Sequence, residues 1–171
     1  MFGKLLQIAT ATTDGTASIV TLTGINTDDP YILFYHGLIP TSHDNLSFRL
    51  TKSGSVQSDS NYDNARIGMP AHASIQENEN ENDSKFQFAT MDEADGTGAC
   101  GYIYCYQFNS ASDYSFVNFA GTMWASTPGM FGNYGAGVHT VDSASDGVSL
   151  HTTSGNNFKS GGKVTLYRII T

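Results

Sequence analysis

The sequence predicts an all-β protein: an antiparallel, jelly-roll-like β-sandwich of about ten short strands, in a single domain over residues 1–171. Charged residues make up only 14% of the chain, whereas aromatic residues make up 12% and 18 residues are glycine. That composition disfavours helical bundles and favours strands joined by turns. Apolar side chains also recur at every second position in many segments, and no window shows the 3.6-residue period of an amphipathic helix.

The first half of the chain contains four predicted strands. Residues 5–9 form a short apolar run. In residues 18–23, Ser18, Val20 and Leu22 alternate with Ile19, Thr21 and Thr23, which predicts a second strand. Residues 31–36 are continuously apolar and aromatic, which predicts a central strand covered on both sides. Residues 46–51 alternate apolar with polar side chains, which predicts a half-buried strand with one wet face.

A hairpin is predicted in the second half of the chain. Residues 102–108 would place three tyrosines and a phenylalanine on one face of a strand, and residues 114–120 would form its partner. Residues 109–113 have the composition and length of a hairpin connection. Further strands are predicted at residues 86–90, 122–126, 137–141, 148–152 and 163–169.

Two segments interrupt this rhythm of strands. The acidic, asparagine-rich tract at residues 76–83 predicts a solvated loop or a disordered segment. Residues 129–137 contain glycine at short intervals, which predicts a long loop near Trp124.

The charge balance argues against several partners. A net charge of −8 disfavours nucleic acid and anionic membrane surfaces as ligands, because both are bound mainly through cationic side chains. No apolar run approaches the ~20 residues of a spanning helix, and the apolar run at 5–9 is too short for a secretory signal. Cys100 and Cys105 would point to opposite faces of one strand, so both are predicted to be free.

No motif in the sequence predicts catalysis, a metal site or a cofactor. The chain lacks the nucleophile elbow of hydrolases and the cysteine and histidine spacings of zinc sites, and its five histidines are predicted to be ordinary surface or strand residues. Residues 92–96 carry three carboxylates, but their spacing does not match a calcium loop, so we expect a solvated acidic turn.

Three aromatic residues suggest a candidate binding site for a sugar. Trp124, Phe131 and Tyr134 cluster around the glycine-rich segment, and aromatic rings can stack on sugar rings while nearby polar side chains bind hydroxyl groups. The alternative is that Trp124 lies in the core and that Phe131 and Tyr134 cover it.

Several phrases of the sequence resemble one family as a set. They are residues 1–8 together with 19–24, residues 44–50, residues 101–110, and residues 159–169 near the end of the sequence. Together they resemble small virion structural proteins of tailed bacteriophages, which are described as tail-fibre-like or as capsid decoration proteins. The resemblance implies a jelly-roll-like sandwich on the virion exterior, assembled in the host cytoplasm. It also implies that the protein packs against copies of itself, as a trimer, and against other capsid or tail proteins.

Two other functions remain open from the sequence. The protein could be a receptor-binding adhesin for a host surface glycan, with many copies raising the avidity of weak sites. It could also be a carbohydrate-binding module unrelated to phages, since that class shares the sandwich fold. An enzyme is the least supported alternative, because nearly all the acidic residues lie in turn-like contexts.

Overall fold

The computed structural model describes residues 3–94, 98–125 and 129–170. This part of the chain contains strands, turns and bends but no helix, so the predicted all-β class is confirmed. It forms thirteen strands, more than the roughly ten predicted. Their bounds are β1 (Lys4–Thr12), β2 (Ile19–Thr23), β3 (Tyr31–Leu38), β4 (Asp44–Lys52), β5 (Ser55–Val56), β6 (Tyr62–Pro70), β7 (Gln76–Asp83), β8 (Phe86–Met91), β9 (Ala99–Tyr106), β10 (Ser115–Ala125), β11 (Gly129–His139), β12 (Gly147–Thr152) and β13 (Lys163–Ile170).

The strands form two antiparallel sheets that pack face to face. The large sheet has eight strands in the order β1-β13-β3-β9-β10-β11-β6-β7. The small sheet has five strands, β2-β12-β4-β5 with β8 also paired to β4. Early strands pair with late ones in nested order, β1 with β13 and β2 with β12, as in a jelly roll. The predicted antiparallel sandwich is therefore confirmed.

The core between the sheets is dominated by aromatic rings. The ring centroid of Phe48 lies 6.0, 5.7 and 6.3 Å from those of Phe86, Phe88 and Phe108. All four side chains are almost completely buried, and each such burial stabilises the fold by about 1.5–3 kcal/mol. Phe108 was predicted to share the face of the tyrosines. It enters the core instead because Gln107 has a φ of 59°, which redirects the chain after β9.

Residues 129–137 lie within a strand, so the predicted loop is wrong. β11 pairs with β10 on one side and with β6 on the other. A Cβ atom at Gly135 would collide with the Phe119 ring, and one at Gly137 would come within 2.7 Å of the Phe86 ring. These glycines therefore make room for core aromatic rings within a regular strand.

The acidic tract is also a strand, so the predicted solvated loop or disordered segment is wrong. β7 lies at the edge of the large sheet and pairs with β6 alone. An edge strand is held by main-chain hydrogen bonds to one neighbour, and charged side chains on it oppose aggregation. It can therefore form without the alternating apolar face by which other strands are recognised.

The remaining strand predictions hold with corrections in detail. The two strands predicted at 114–120 and 122–126 are parts of one strand, β10. β3 is central in the large sheet, but Phe34 and His36 are exposed, so it is not covered on both sides. In β4, Ser47 and Thr51 are fully buried, so its polar side is not wet at these positions. β6 has no counterpart among the predicted strands. Residue 126, at the end of the predicted strand 122–126, lies outside the described residues.

Gly135→Ala is expected to lower the free energy of unfolding by about 1–3 kcal/mol, because the added methyl group overpacks the core against Phe119. Gly132 is a matched control on the same strand, since a Cβ atom there would meet Met69 Cε at 3.4 Å. Gly132→Ala should change stability by less than about 0.5 kcal/mol. Urea unfolding of both variants measures the difference, and equal effects would contradict this account.

Candidate functional site

The outward side of the large sheet carries an uncovered apolar surface, which we call the aromatic face. Its side chains come from β3, β6, β9, β10 and β11, which are neighbours in the sheet but not all neighbours in sequence. Each of its large side chains is between 37% and 54% exposed to solvent. The face comprises Phe34, Ile67, Met69, Tyr102, Phe116, Trp124, Met130 and Tyr134.

Strand register aligns part of the aromatic face into a continuous row. Phe34 lies opposite Tyr102, and Tyr102 lies opposite Ala120 on the next strand. Ala120 lies opposite Tyr134, which in turn lies opposite Ile67. Directly opposite residues have Cβ atoms about 5 Å apart. The row therefore crosses five strands, with a small residue between two tyrosine rings.

The structure separates the three aromatic residues predicted as a cluster. Trp124 and Tyr134 are each 54% exposed and lie on the aromatic face. Phe131 lies opposite the buried Met123 and packs against the core, on the other side of the sheet. The alternative prediction, with Trp124 in the core, is therefore wrong. Trp124 lies opposite Met130, which is four residues and thus about 13 Å along β11 from Tyr134.

Two shallow grooves flank Tyr134. One, of about 520 Å³, lies between Tyr134 and Tyr102. The other, of about 630 Å³, lies between Tyr134 and the side chains of Glu77 and Glu79 on β7. Small residues floor the grooves: Ala120 and Gly132 in the first, and Ala65 and Ala136 in the second. The aromatic face is thus ridged, with Tyr134 as the ridge and a carboxylate rim on one side.

The outward side of the small sheet has a different chemistry. Its register places polar side chains there: Thr21 is exposed and Arg49 half-buried, whereas Ser47, Ser149 and His151 are buried. Arg49 is held in position because its Nε donates a hydrogen bond of 2.8 Å to the Ser84 carbonyl oxygen. The two flat sides of the molecule therefore differ, and the aromatic one is the candidate binding surface.

The five histidines divide into two environments. The exposed ones are His36, His43 and His72. His139 and His151 are buried at 2% and 5% exposure. Burial lowers the pKa of His151 to about 4, and the nearby Arg49 guanidinium contributes to this shift. Burial also lowers the pKa of His139, although Asp59, 3.5 Å from its Nε2, acts in the opposite direction.

One group among the described residues has the composition of a metal site. Ligand atoms of His43, Asp92 and Glu93 lie within 4.8 Å of one another. Asp92 is buried, which the predicted solvated turn at residues 92–96 does not anticipate, and residues 95 and 96 lie outside the described residues. Lys159 Nζ donates a hydrogen bond of 2.6 Å to the Glu93 carbonyl oxygen. The positive charge of the Lys159 ammonium therefore lies beside the His43, Asp92 and Glu93 cluster and opposes the binding of a metal cation there.

Comparison with known proteins finds no relative. No family model matches the chain, and no curated protein or solved structure is significantly similar to it. These comparisons do not identify a phage structural protein, so the resemblance seen in the sequence remains an expectation. Within the described residues, no helix is long and apolar enough to cross a membrane.

We expect acid to destabilise the protein through His151. Its pKa is about 4 when folded and about 6.5 when unfolded, so between these values the unfolded chain binds a proton that the folded chain does not. The free energy of unfolding is therefore unaffected by this group above pH ~6.5, and it falls by up to about 3 kcal/mol as the pH is lowered towards 4. His151→Gln should flatten this pH dependence, with a residual slope from His139. Urea unfolding at a series of pH values tests this, and an unchanged slope in the variant would refute it.

Proposed function

We propose that the protein is a non-enzymatic structural component of a bacteriophage virion, located on the exterior of the particle. It acts through contacts between subunits, either as a capsid decoration protein or as a tail-fibre or tail-tip subunit. The observation that carries the proposal is the aromatic face, a broad apolar surface that no other part of the described chain covers. The sequence phrases that resemble phage proteins supply the virion context.

The size and position of the aromatic face favour contact with another protein. Contiguous exposed apolar surface on one side of a molecule is typical of interaction sites, whereas scattered apolar residues are ordinary. Aromatic residues and methionine, which make up most of this face, are enriched in protein interfaces. A flat sheet face also suits a wide contact better than it suits an enclosed ligand pocket.

The charge distribution favours copies of the same chain as one partner. The net charge of −8 makes copies repel one another over most of their surfaces. The outward residues of β3, β9, β10 and β11 include no aspartate, glutamate, lysine or arginine. The nearest carboxylates, Asp63 on β6 and Glu77 and Glu79 on β7, lie along one side of the aromatic face. Copies can therefore meet through the outward residues of β3, β9, β10 and β11 without placing carboxylates against each other, which is compatible with the expected trimer.

Cryo-electron microscopy of the particle that carries the protein tests its location. Density on the capsid lattice would support a decoration protein, which stabilises a capsid by the area it buries between neighbouring subunits. Density at the tail would support a fibre or tail-tip subunit. If purified particles contain no copy of the protein, the structural proposal is overturned.

Tyr102→Glu is expected to weaken assembly, because it places a carboxylate in the middle of the aromatic face. The isolated protein should lose its self-association in sedimentation velocity, and incorporation into particles should fall at least tenfold if burying one unpaired charge costs about 1.4 kcal/mol or more. Thr21→Glu, at an exposed position on the outward side of the small sheet, adds the same charge and should have no such effect. A monomeric wild type, or equal effects of both variants, would count against the aromatic face as the contact surface.

A second function, binding of a surface glycan, is favoured by one observation. Trp124 and Tyr134 are exposed on the same face, and the Glu77 and Glu79 carboxylates near Tyr134 can accept hydrogen bonds from hydroxyl groups. The spacing of about 13 Å along the strand means that the two rings would contact different sugars of an oligosaccharide. Phe131 faces the core and is not part of this site.

Trp124→Ala should weaken glycan binding about two- to tenfold if this second function holds, because it removes a stacking surface worth about 0.5–1.5 kcal/mol. Trp124→Phe should retain part of the binding, and Phe131→Leu should leave it unchanged since that side chain is on the opposite side of the sheet. An array of bacterial surface polysaccharides, read with multivalent protein, measures all three. No binding by the wild type would refute this function and leave the structural one standing.

A further inference from the structure

The free edge of β7 is the strongest feature that the proposed function does not use. β7 pairs with β6 along one side, and no other described strand pairs with its second side. The main-chain N–H and C=O groups of alternate residues therefore point away from the sheet, ready to pair with an additional strand. The strand has no apolar side chain over its eight residues, Gln76–Asp83.

The carboxylates of β7 are ordered by the strand register. Glu77 lies opposite Ile67 and Glu79 lies opposite Ala65, so both are on the side of the aromatic face. Glu81 lines the same side further along, beside Asp63. Within the described part of the chain, the side chains of Glu77, Glu79 and Glu81 make no ion pair. The result is a row of negative charges along an open edge, and among the described residues the one cationic residue that lines the groove beside it is Arg66.

An elongated groove runs beside this row. The groove of about 630 Å³ that contains Glu77 and Glu79 shares Ala65, Glu79 and Ala136 with a second groove of about 730 Å³, which contains Glu81. Its inner wall is apolar and comes from Tyr134 and Phe116. The carboxylates of Glu77 and Glu79 therefore stand between the free edge of β7 and this apolar wall.

A second copy of this chain does not complement the edge. Two β7 strands paired with each other would bring carboxylates of the same sign together, which destabilises strand pairing. The chain has only eight lysines and arginines, and no two of them are two residues apart. None of its strands can therefore present cations at consecutive positions on one face. The complementary strand must belong to another protein.

We propose that the edge of β7 binds an extended basic segment of a different protein, which adds to the large sheet as a further strand. Its main chain pairs with β7, and lysine or arginine side chains at every second position face Glu77 and Glu79. Main-chain hydrogen bonds provide affinity in this mode of recognition, and the alternate side chains provide specificity. The paired edge itself lies outside the aromatic face, although the groove beside it is walled by Tyr134 and Phe116 of that face.

Synthetic peptides provide the test. The probe is a capped octapeptide in which lysine alternates with threonine, titrated into the full chain by isothermal calorimetry at low ionic strength. We expect this peptide to bind, and we expect its affinity to fall as salt is added, because salt screens interactions between exposed charges. The same peptide carrying N-methyl groups along one edge keeps its charges but cannot pair as a strand, and an octapeptide of glutamate and threonine reverses the charge. Neither should bind.

A matched pair of variants separates this site from the overall charge. Glu77→Gln with Glu79→Gln should raise the Kd of the lysine peptide about fivefold, since exposed charge pairs contribute modestly. Asp28→Asn with Asp142→Asn changes the net charge equally at exposed positions off β7 and should change the Kd less than about twofold. Equal effects of the two double variants, undiminished binding of the N-methylated peptide, or no binding of the lysine peptide would each overturn the proposal. Self-association of the protein and its incorporation into particles, which test the aromatic face, are readouts distinct from binding of the peptide.

Discussion

The packing of aromatic rings against bare main chain is the interaction on which this sandwich depends. Facing sheets lie about 10 Å apart, and several buried rings lie over main chain that carries no side chain. The Phe119 ring covers Gly135 on the neighbouring strand, and the Phe86 ring reaches Gly137 from the facing sheet. Tyr35 uses the same device, because its buried ring lies where Cβ atoms of Gly101 and Gly121 would stand. The high glycine content and the high aromatic content of the sequence are therefore linked, because several glycines make room for buried aromatic rings.

Much of the fold could be predicted from the sequence, and the exceptions have a physical reason. A period of two identifies a strand only when one face is apolar and the other polar. β4 satisfies this condition with Leu46, Phe48 and Leu50, and it was predicted. β7 lies at an edge and buries little, so its residues carry no apolar signal. β11 also lacks the pattern, although it is a central strand, because glycines occupy core-facing positions where large apolar residues would otherwise reveal a strand.

The candidate site was less predictable, because it depends on strand register. Trp124, Phe131 and Tyr134 are close in sequence, and their grouping assumed a loop at residues 129–137. In a strand, Phe131 and Tyr134 differ by an odd number of positions and must face opposite sides. The rest of the aromatic face, such as Phe34 opposite Tyr102, joins residues far apart along the chain. No local pattern specifies which strands become neighbours, so no local pattern could assemble that surface.

The exposure of Trp124 has a consequence for how the molecule can be observed. It is the chain's one tryptophan, and about half of it faces water in the folded state. Its fluorescence emission therefore reports on what covers the aromatic face far more than on whether the core is folded. The tyrosines Tyr102, Tyr104 and Tyr106 stand side by side on β9, with ring centroids 5.6 and 6.1 Å apart. Their near-ultraviolet circular dichroism reports on the integrity of the large sheet, so the two chromophores separate docking from unfolding in an unlabelled sample.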